Sequence, residues 1–189
     1  MGLLRRLFYT GSCFFELAGG VIIAAVTVML IHLFVATIFI VDGSSMHPNF
    51  TTGQIIMVNR WTYLFGQPAR GDVVVLRFPG DPEHKKYVKR LIGLPGETVE
   101  IRDDHFYVNG KLLTENYLKV GELTPIMIKG KNRWILGGRD HFLAGDNRPN
   151  SNASRTWDAA DRRFLIGKAV FILWPPKDAG FVPKETYGF

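Results

Sequence analysis

Tyr87-Val88-Lys89-Arg90-Leu91-Ile92-Gly93-Leu94-Pro95-Gly96 reads as a β-strand closed by a turn. Six side chains in a row are long or apolar, and the Gly-Leu-Pro-Gly that follows cannot continue a regular element. Strand side chains alternate between faces, so Tyr87, Lys89 and Leu91 share one side while Val88, Arg90 and Ile92 share the other. A lysine between two large apolar neighbours either snorkels from a sheet edge or is buried. If buried, it loses the hydration that favours the ammonium ion and becomes a base usable near neutral pH.

The surrounding segments extend this into a mainly β domain. Strands are expected over residues 54–59, 73–78, 98–102, 105–108, 141–144 and 164–174, each bounded by Gly, Pro, Asn or Asp. Residues 121–135 are read as strand, loop, strand, and 158–163 as one helical turn. Asn109-Gly110 marks a tight hairpin. Residues 79–86 form a charged, proline-containing hairpin or loop. Arg70-Gly71-Asp72 is an ordinary turn feeding a strand. Residues 60–65, Arg-Trp-Thr-Tyr-Leu-Phe, suit either core packing or a membrane headgroup layer, where aromatic rings keep a polar tip wet. No repeat is present, and almost no helical periodicity occurs beyond the first quarter of the chain. The pattern suggests mixed or antiparallel sheets.

Further toward the N-terminus, Leu17 to Val41 is 25 residues without a formal charge, with His32 its most polar member. As a helix it would reach roughly 37 Å, longer than the ~30 Å of bilayer hydrocarbon. The expectation is one N-terminal transmembrane helix over 17–41, preceded by a cytoplasmic segment over 1–16 and followed by an extracytoplasmic domain over 42–189. Arg5 and Arg6 before the run set that orientation. A cleaved signal peptide would have a shorter apolar stretch ending in small residues, whereas this one continues as Phe39-Ile40-Val41-Asp42.

The 189 residues allow one domain of usual size beside such an anchor. The net charge of +6 comes from scattered lysines and arginines rather than a stripe, and no nucleic-acid motif accompanies it, so no nucleic-acid partner is expected. The single cysteine, Cys13, excludes an intrachain disulfide. No cofactor or metal is expected.

The polar turn Val41-Asp42-Gly43-Ser44-Ser45-Met46-His47-Pro48 supplies two candidate nucleophiles, Ser44 and Ser45. A serine needs a base, usually a histidine held by a carboxylate. His47, His84, His105 and His141 are available, but none stands in a triad-like stretch, and no Gly-x-Ser-x-Gly elbow is present. The alternative is a Ser-Lys pair, in which a desolvated lysine is the base and a second hydroxyl orients it.

Taken together, 41–48, Gly71-Asp72-Val73-Val74, 87–96, and Gly145-Asp146-Asn147-Arg148 with Ser151 and Arg155 resemble the bacterial type I signal peptidases (leader peptidases), in order and relative spacing. The resemblance implies the Ser-Lys β fold shared with LexA-type repressors, here behind a membrane helix in place of a DNA-binding domain. It implies a membrane-bound serine endopeptidase that removes signal peptides after small residues, at Ala-x-Ala type sites. Ser45 maps to the nucleophile, Lys89 to the general base and Ser151 to the lysine-orienting hydroxyl. Ser45 N–H is then one oxyanion donor.

Gly43 stands where Gram-negative members carry a helpful serine, so the site is Gram-positive-like, with Ser44 a conceivable substitute donor. Asp146, Arg148 and Arg155 match the family's polar scaffold. The carboxylate that often faces the last arginine is replaced by Ala153, which leaves Arg155 to pair with Asp146 or stay solvated. Phe39, Val41, Asp42, Tyr87 and Val88 map to the substrate-binding walls. The implied partners are signal peptides of secretory preproteins and membrane lipid, near the secretion translocon, with the chain in the bacterial cell membrane as a single-pass protein. The alternative weighed is a catalytically silent, membrane-tethered β adaptor, which the presence of both Ser45 and Lys89 disfavours.

Overall fold

A computed structural model describes residues 16–29, 36–78, 80–81 and 85–187. The expected cytoplasmic segment before residue 16, with Arg5, Arg6 and Cys13, lies outside the described residues, as do His32 and part of the 79–86 loop. The chain divides into two compact units, Met1–Ala36 and Thr37–Phe189. In the first, residues 16–29 form a helix, α1, with most of its side chains exposed.

The expected transmembrane helix over 17–41 is not what forms. Residues 16–29 reach only roughly 20 Å at ~1.5 Å per residue, and residues 36–40, the far end of the same apolar run, are a β-strand. No helix among the described residues is long and apolar enough to cross a membrane. That finding overturns the membrane-spanning part of the fold expectation and the single-pass localisation built on it. The physical reason lies in the composition of Ala36-Thr37-Ile38-Phe39-Ile40: β-branched and aromatic residues satisfy a sheet as well as they satisfy lipid. Here Phe39 packs against a sheet core, and Val41 N–H donates to Gln54 O at 2.8 Å.

The second unit is mainly β. Its elements run β1 (Ala36–Ile40), β2 (Ile55–Asn59), a short helix α2 (Trp61–Phe65), β3 (Val73–Arg77), β4 (Lys86–Gly93), β5 (Thr98–Arg102), β6 (His105–Val108), β7 (Lys111–Leu112), β8 (Arg133–Ile135), β9 (Asp140–Ala144), α3 (Ser154–Trp157), β10 (Ala160–Asp161), β11 (Leu165–Trp174) and β12 (Gly180–Phe181). An eight-stranded sheet has the order β1-β2-β11-β3-β4-β9-β10, with β12 on β11; a four-stranded sheet has the order β7-β6-β5-β8. The recorded pairings are antiparallel. Positive φ at Asp103 and Asp104, and again at Asn109 and Gly110, supplies the tight turns that join β5 to β6 and β6 to β7.

Three apolar clusters fill the unit. One joins Val41, Met46, Ile56, Val58 and Val88. A second lies under the four-stranded sheet around Phe106, Trp134 and Phe142. The third joins Tyr63, Val74, Leu76 and Leu91. In α2, Tyr63 is buried and its hydroxyl donates to Asp72, while Trp61, Leu64 and Phe65 stay exposed. The segment therefore packs through one residue only. Arg70 pairs with Glu97, and Asp72 is buried against Tyr63 and Lys168. The first strand expected within 121–135 is not formed, and the helical turn near 158–163 divides into α3 before it and a short 3-10 turn at Arg162–Phe164.

Candidate active site

Ser45 stands in the turn that leaves β1. Gly43 opens this turn with φ +92°, a conformation that would strain a side-chain-bearing residue. His47 N–H donates to Ser44 O at 3.1 Å and Phe50 N–H to Met46 O at 2.9 Å. Met46 and Phe50, both buried, plug the turn into the first core. Ser45 itself is half-buried, Ser44 exposed.

Lys89 comes from the middle of the large sheet, where β4 lies between β3 and β9. Its side chain is 1% exposed, and Nζ donates to Ser45 Oγ at 2.6 Å. Burial lowers its pKa from 10.5 to about 8, and the attraction of Asp146 opposes that fall. The Tyr87 ring lies 5.5 Å from Nζ. The next residue on the strand, Arg90, takes the opposite face and a carboxylate partner: it grips Asp146 through Nε and Nη2 at 2.8 and 2.7 Å. Arg90 also lies 3.9 Å from the Tyr117 ring centroid, and Asn49 Nδ2 adds a 2.8 Å bond to Asp146.

Ser151 is buried, and its Oγ has no hydrogen-bond partner among the described residues. It lies close to Ser45 because position 145 is glycine. A Cβ there would overlap both Ser151 Oγ and Ser45 O. Asn147 N–H donates to Ser45 O at 3.0 Å, which ties the loop after β9 to the serine turn.

Arg148 is buried. It donates to Glu115 at 2.9 Å, to Thr124 Oγ1 at 2.6 Å and to Gly145 O at 3.0 Å. Arg155 corrects an expectation: it neither pairs with Asp146, which Arg90 occupies, nor reaches solvent. It is fully buried, donating to Pro125 O at 2.8 Å and to Arg148 O, with Nε unpartnered among the described residues. Burial, then the neighbouring Arg148, push its pKa down to about 10.

The expected substrate residues split into groups. Phe39, Val41 and Val88 converge in the apolar cluster that also holds Met46, the neighbour of Ser45. Tyr87 is half-buried beside the third cluster, and Asp42 is exposed. Residues that sequence reasoning did not assign also shape the site: Arg90, Glu115, Asn49, Gly145 and Asn147. Arg90 could have been suspected, since it faces away from Lys89 and a buried arginine needs an acid.

This arrangement offers a hydroxyl next to a desolvated amine, with a second buried hydroxyl close by. Such a set can deprotonate serine without histidine or metal ligands.

Comparison with known proteins gives a family. The model of the family described as "Signal peptidase, peptidase S26" matches residues 14–174. Signal peptidase I of Bacillus amyloliquefaciens is 35% identical over 183 residues, covering 88% of this chain and 89% of that protein. Signal peptidase I S of Bacillus subtilis is 36% identical over 176 residues, covering 85% and 89%. A crystal structure of a signal peptidase I from Enterococcus faecalis is similar at 33% identity and a TM-score of 0.45, covering 54% of this chain and 96% of that one.

Proposed function

Since the chain belongs to the signal peptidase family, peptidase S26, and is thus a serine peptidase with signal-peptidase-type hydrolytic activity, we propose that it cuts secretory preproteins with Ser45 as nucleophile and Lys89 as general base. The single observation that carries this reading is the 2.6 Å approach of a buried Lys89 Nζ to Ser45 Oγ.

In the proposed reaction Ser45 Oγ attacks the scissile carbonyl carbon as its proton passes to Lys89 Nζ. The carbonyl π-bond opens to an oxyanion, which Ser45 N–H receives. Collapse breaks the C–N bond, and Lys89 returns the proton to the leaving amine. The products are a mature protein with a free amino terminus and a signal peptide esterified to Ser45. Water then attacks the ester, Lys89 takes its proton, and Ser45 leaves as the hydroxyl.

Ser151 Oγ, buried and without a hydrogen bond to the described residues, is the proposed group that turns to Lys89 and orients it once Ser45 has given up its proton. Arg90 and Asp146 neutralise one another behind the strand. Arg148 and Arg155 brace the loop carrying Ser151, Arg148 through the Glu115 carboxylate and Arg155 through the carbonyls of Pro125 and Arg148. The scaffold thereby does without an acid at position 153.

Selectivity for small residues, as in Ala-x-Ala sites, follows if the substrate lies extended past β4 and the serine turn. Phe39, Val41 and Val88 pack into the core beside Met46, and as walls of that path they would leave a large side chain little depth to enter. Asp42 and Tyr87 border the same path.

The test is cleavage of a preprotein with an Ala-x-Ala site, with the new N-terminus mapped by mass spectrometry. The unaltered chain cuts after the second alanine, whereas Ser45→Ala and Lys89→Ala, made separately, yield no product. Normal turnover by either variant would refute its role.

A further inference from the structure

We propose that Asn147 is a positioning residue for this reaction, one that fixes the Ser44–Ser45 peptide plane so that Ser45 N–H faces the developing oxyanion. The proposal rests on Ser45 being the nucleophile.

Asn147 follows Asp146 in the loop after β9. Its backbone N–H donates to Ser45 O at 3.0 Å, and its side-chain Nδ2 donates to Ser44 O at 3.1 Å. One residue therefore holds the carbonyls on both sides of the Ser45 α-carbon. The amide is held the right way round, because Asn150 Nδ2 donates to Asn147 Oδ1 at 3.1 Å and leaves Nδ2 as the end that faces Ser44.

Among the described residues the cis peptide bonds are His47–Pro48 and Trp174–Pro175, so the Ser44–Ser45 bond is trans. In a trans peptide the C=O and the N–H lie in one plane and point in opposite directions. Drawing Ser44 O toward Asn147 thus turns Ser45 N–H away from the loop. No acceptor among the described residues takes that N–H.

His47 N–H also donates to Ser44 O, at 3.1 Å. That bond is internal to the turn and moves with it. Asn147 instead ties the plane to the sheet, through its neighbour Asp146, which Arg90 on β4 holds, and through β9, from which the loop leaves. The distinction matters because an oxyanion donor acts through being fixed before charge develops, not by swinging into place afterwards.

The experiment uses the full chain and a preprotein with an Ala-x-Ala site. Asn147→Ala removes the side-chain bond and keeps the backbone one. Asn147→Asp keeps the size but sets an acceptor against Ser44 O. Both should lower kcat by ~10-fold or more with KM within ~3-fold of the unaltered chain. Both should also weaken binding of a peptide boronate, whose tetrahedral adduct on Ser45 presents an oxyanion, far more than binding of the cleaved signal peptide. In Asn147→Ala the pH inflection of kcat/KM should stay where it is in the unaltered chain, since neither the lysine nor the charge around it changes. A kcat within two-fold of the unaltered value, an effect on KM alone, or equal weakening of boronate and product would overturn the proposal. Cleavage that survives Ser45→Ala would instead remove the nucleophile assignment beneath it, and is read separately.

Discussion

Arg90 Nε and Nη2 lie 2.8 and 2.7 Å from the two carboxylate oxygens of Asp146, with both side chains buried. Lys89, one residue earlier on β4, has a serine hydroxyl instead of an acid. Strand alternation thus gives the permanent cation a permanent partner and leaves the titratable one with a neutral contact.

Asp146→Asn should act on both residues. Arg90 loses its counter-charge inside the protein, which should cost about 3–5 kcal/mol in urea unfolding. Asp146 also holds the Lys89 pKa up against burial. Without it, that pKa falls and the pH profile of cleavage moves to lower pH. A profile displaced to higher pH would contradict the electrostatic account.

Lys89→Met should give an inactive protein that resists unfolding better. The folded pKa of about 8 lies below the ordinary 10.5, so between those values the unfolded chain binds more protons and the stability of the unaltered protein rises with pH. Below pH 8 the full cost of charging the buried amine is present, up to ~3 kcal/mol at 1.36 kcal/mol per pKa unit. The variant should therefore exceed the unaltered protein in urea resistance at pH 7, by a margin that shrinks toward pH 10. A margin that is constant or grows with pH would be inconsistent with a depressed lysine.

Ser151→Ala separates function from stability. The buried Oγ forms no hydrogen bond with the described residues, so its removal leaves nothing newly unpaired and should change unfolding by less than ~1 kcal/mol. Cleavage should fall by roughly 100-fold if the hydroxyl orients the lysine. Full activity would remove Ser151 from the mechanism.

Much of the fold is legible in the sequence because strands of half-buried sheets announce themselves by alternation and by turn residues. The segments at 98–102 and 105–108 form β5 and β6 with those bounds. The buried reading of Lys89 was open in the sequence, since a period of two places it among apolar neighbours but cannot tell a sheet centre from an edge. The failure at 17–41 has a similar origin. A long apolar run has no periodicity to separate a membrane helix from a helix followed by a strand, and the pairing partner of residues 36–40 lies beyond the serine turn, in β2. Glu115 was equally out of reach. It lies outside every regular strand, and its side chain is covered where it meets Tyr117 and Arg148, the latter 33 positions away. Long-range ion pairs leave no local pattern.

The most direct test of the central claim is the pH dependence of kcat/KM for a preprotein with an Ala-x-Ala site. A buried Lys89 acting as the base predicts activity that rises with pH through one inflection near 8 and then levels, as the amine loses its proton. An inflection near ~6.5, the ordinary range of a histidine, or a rate that does not depend on pH, would contradict it.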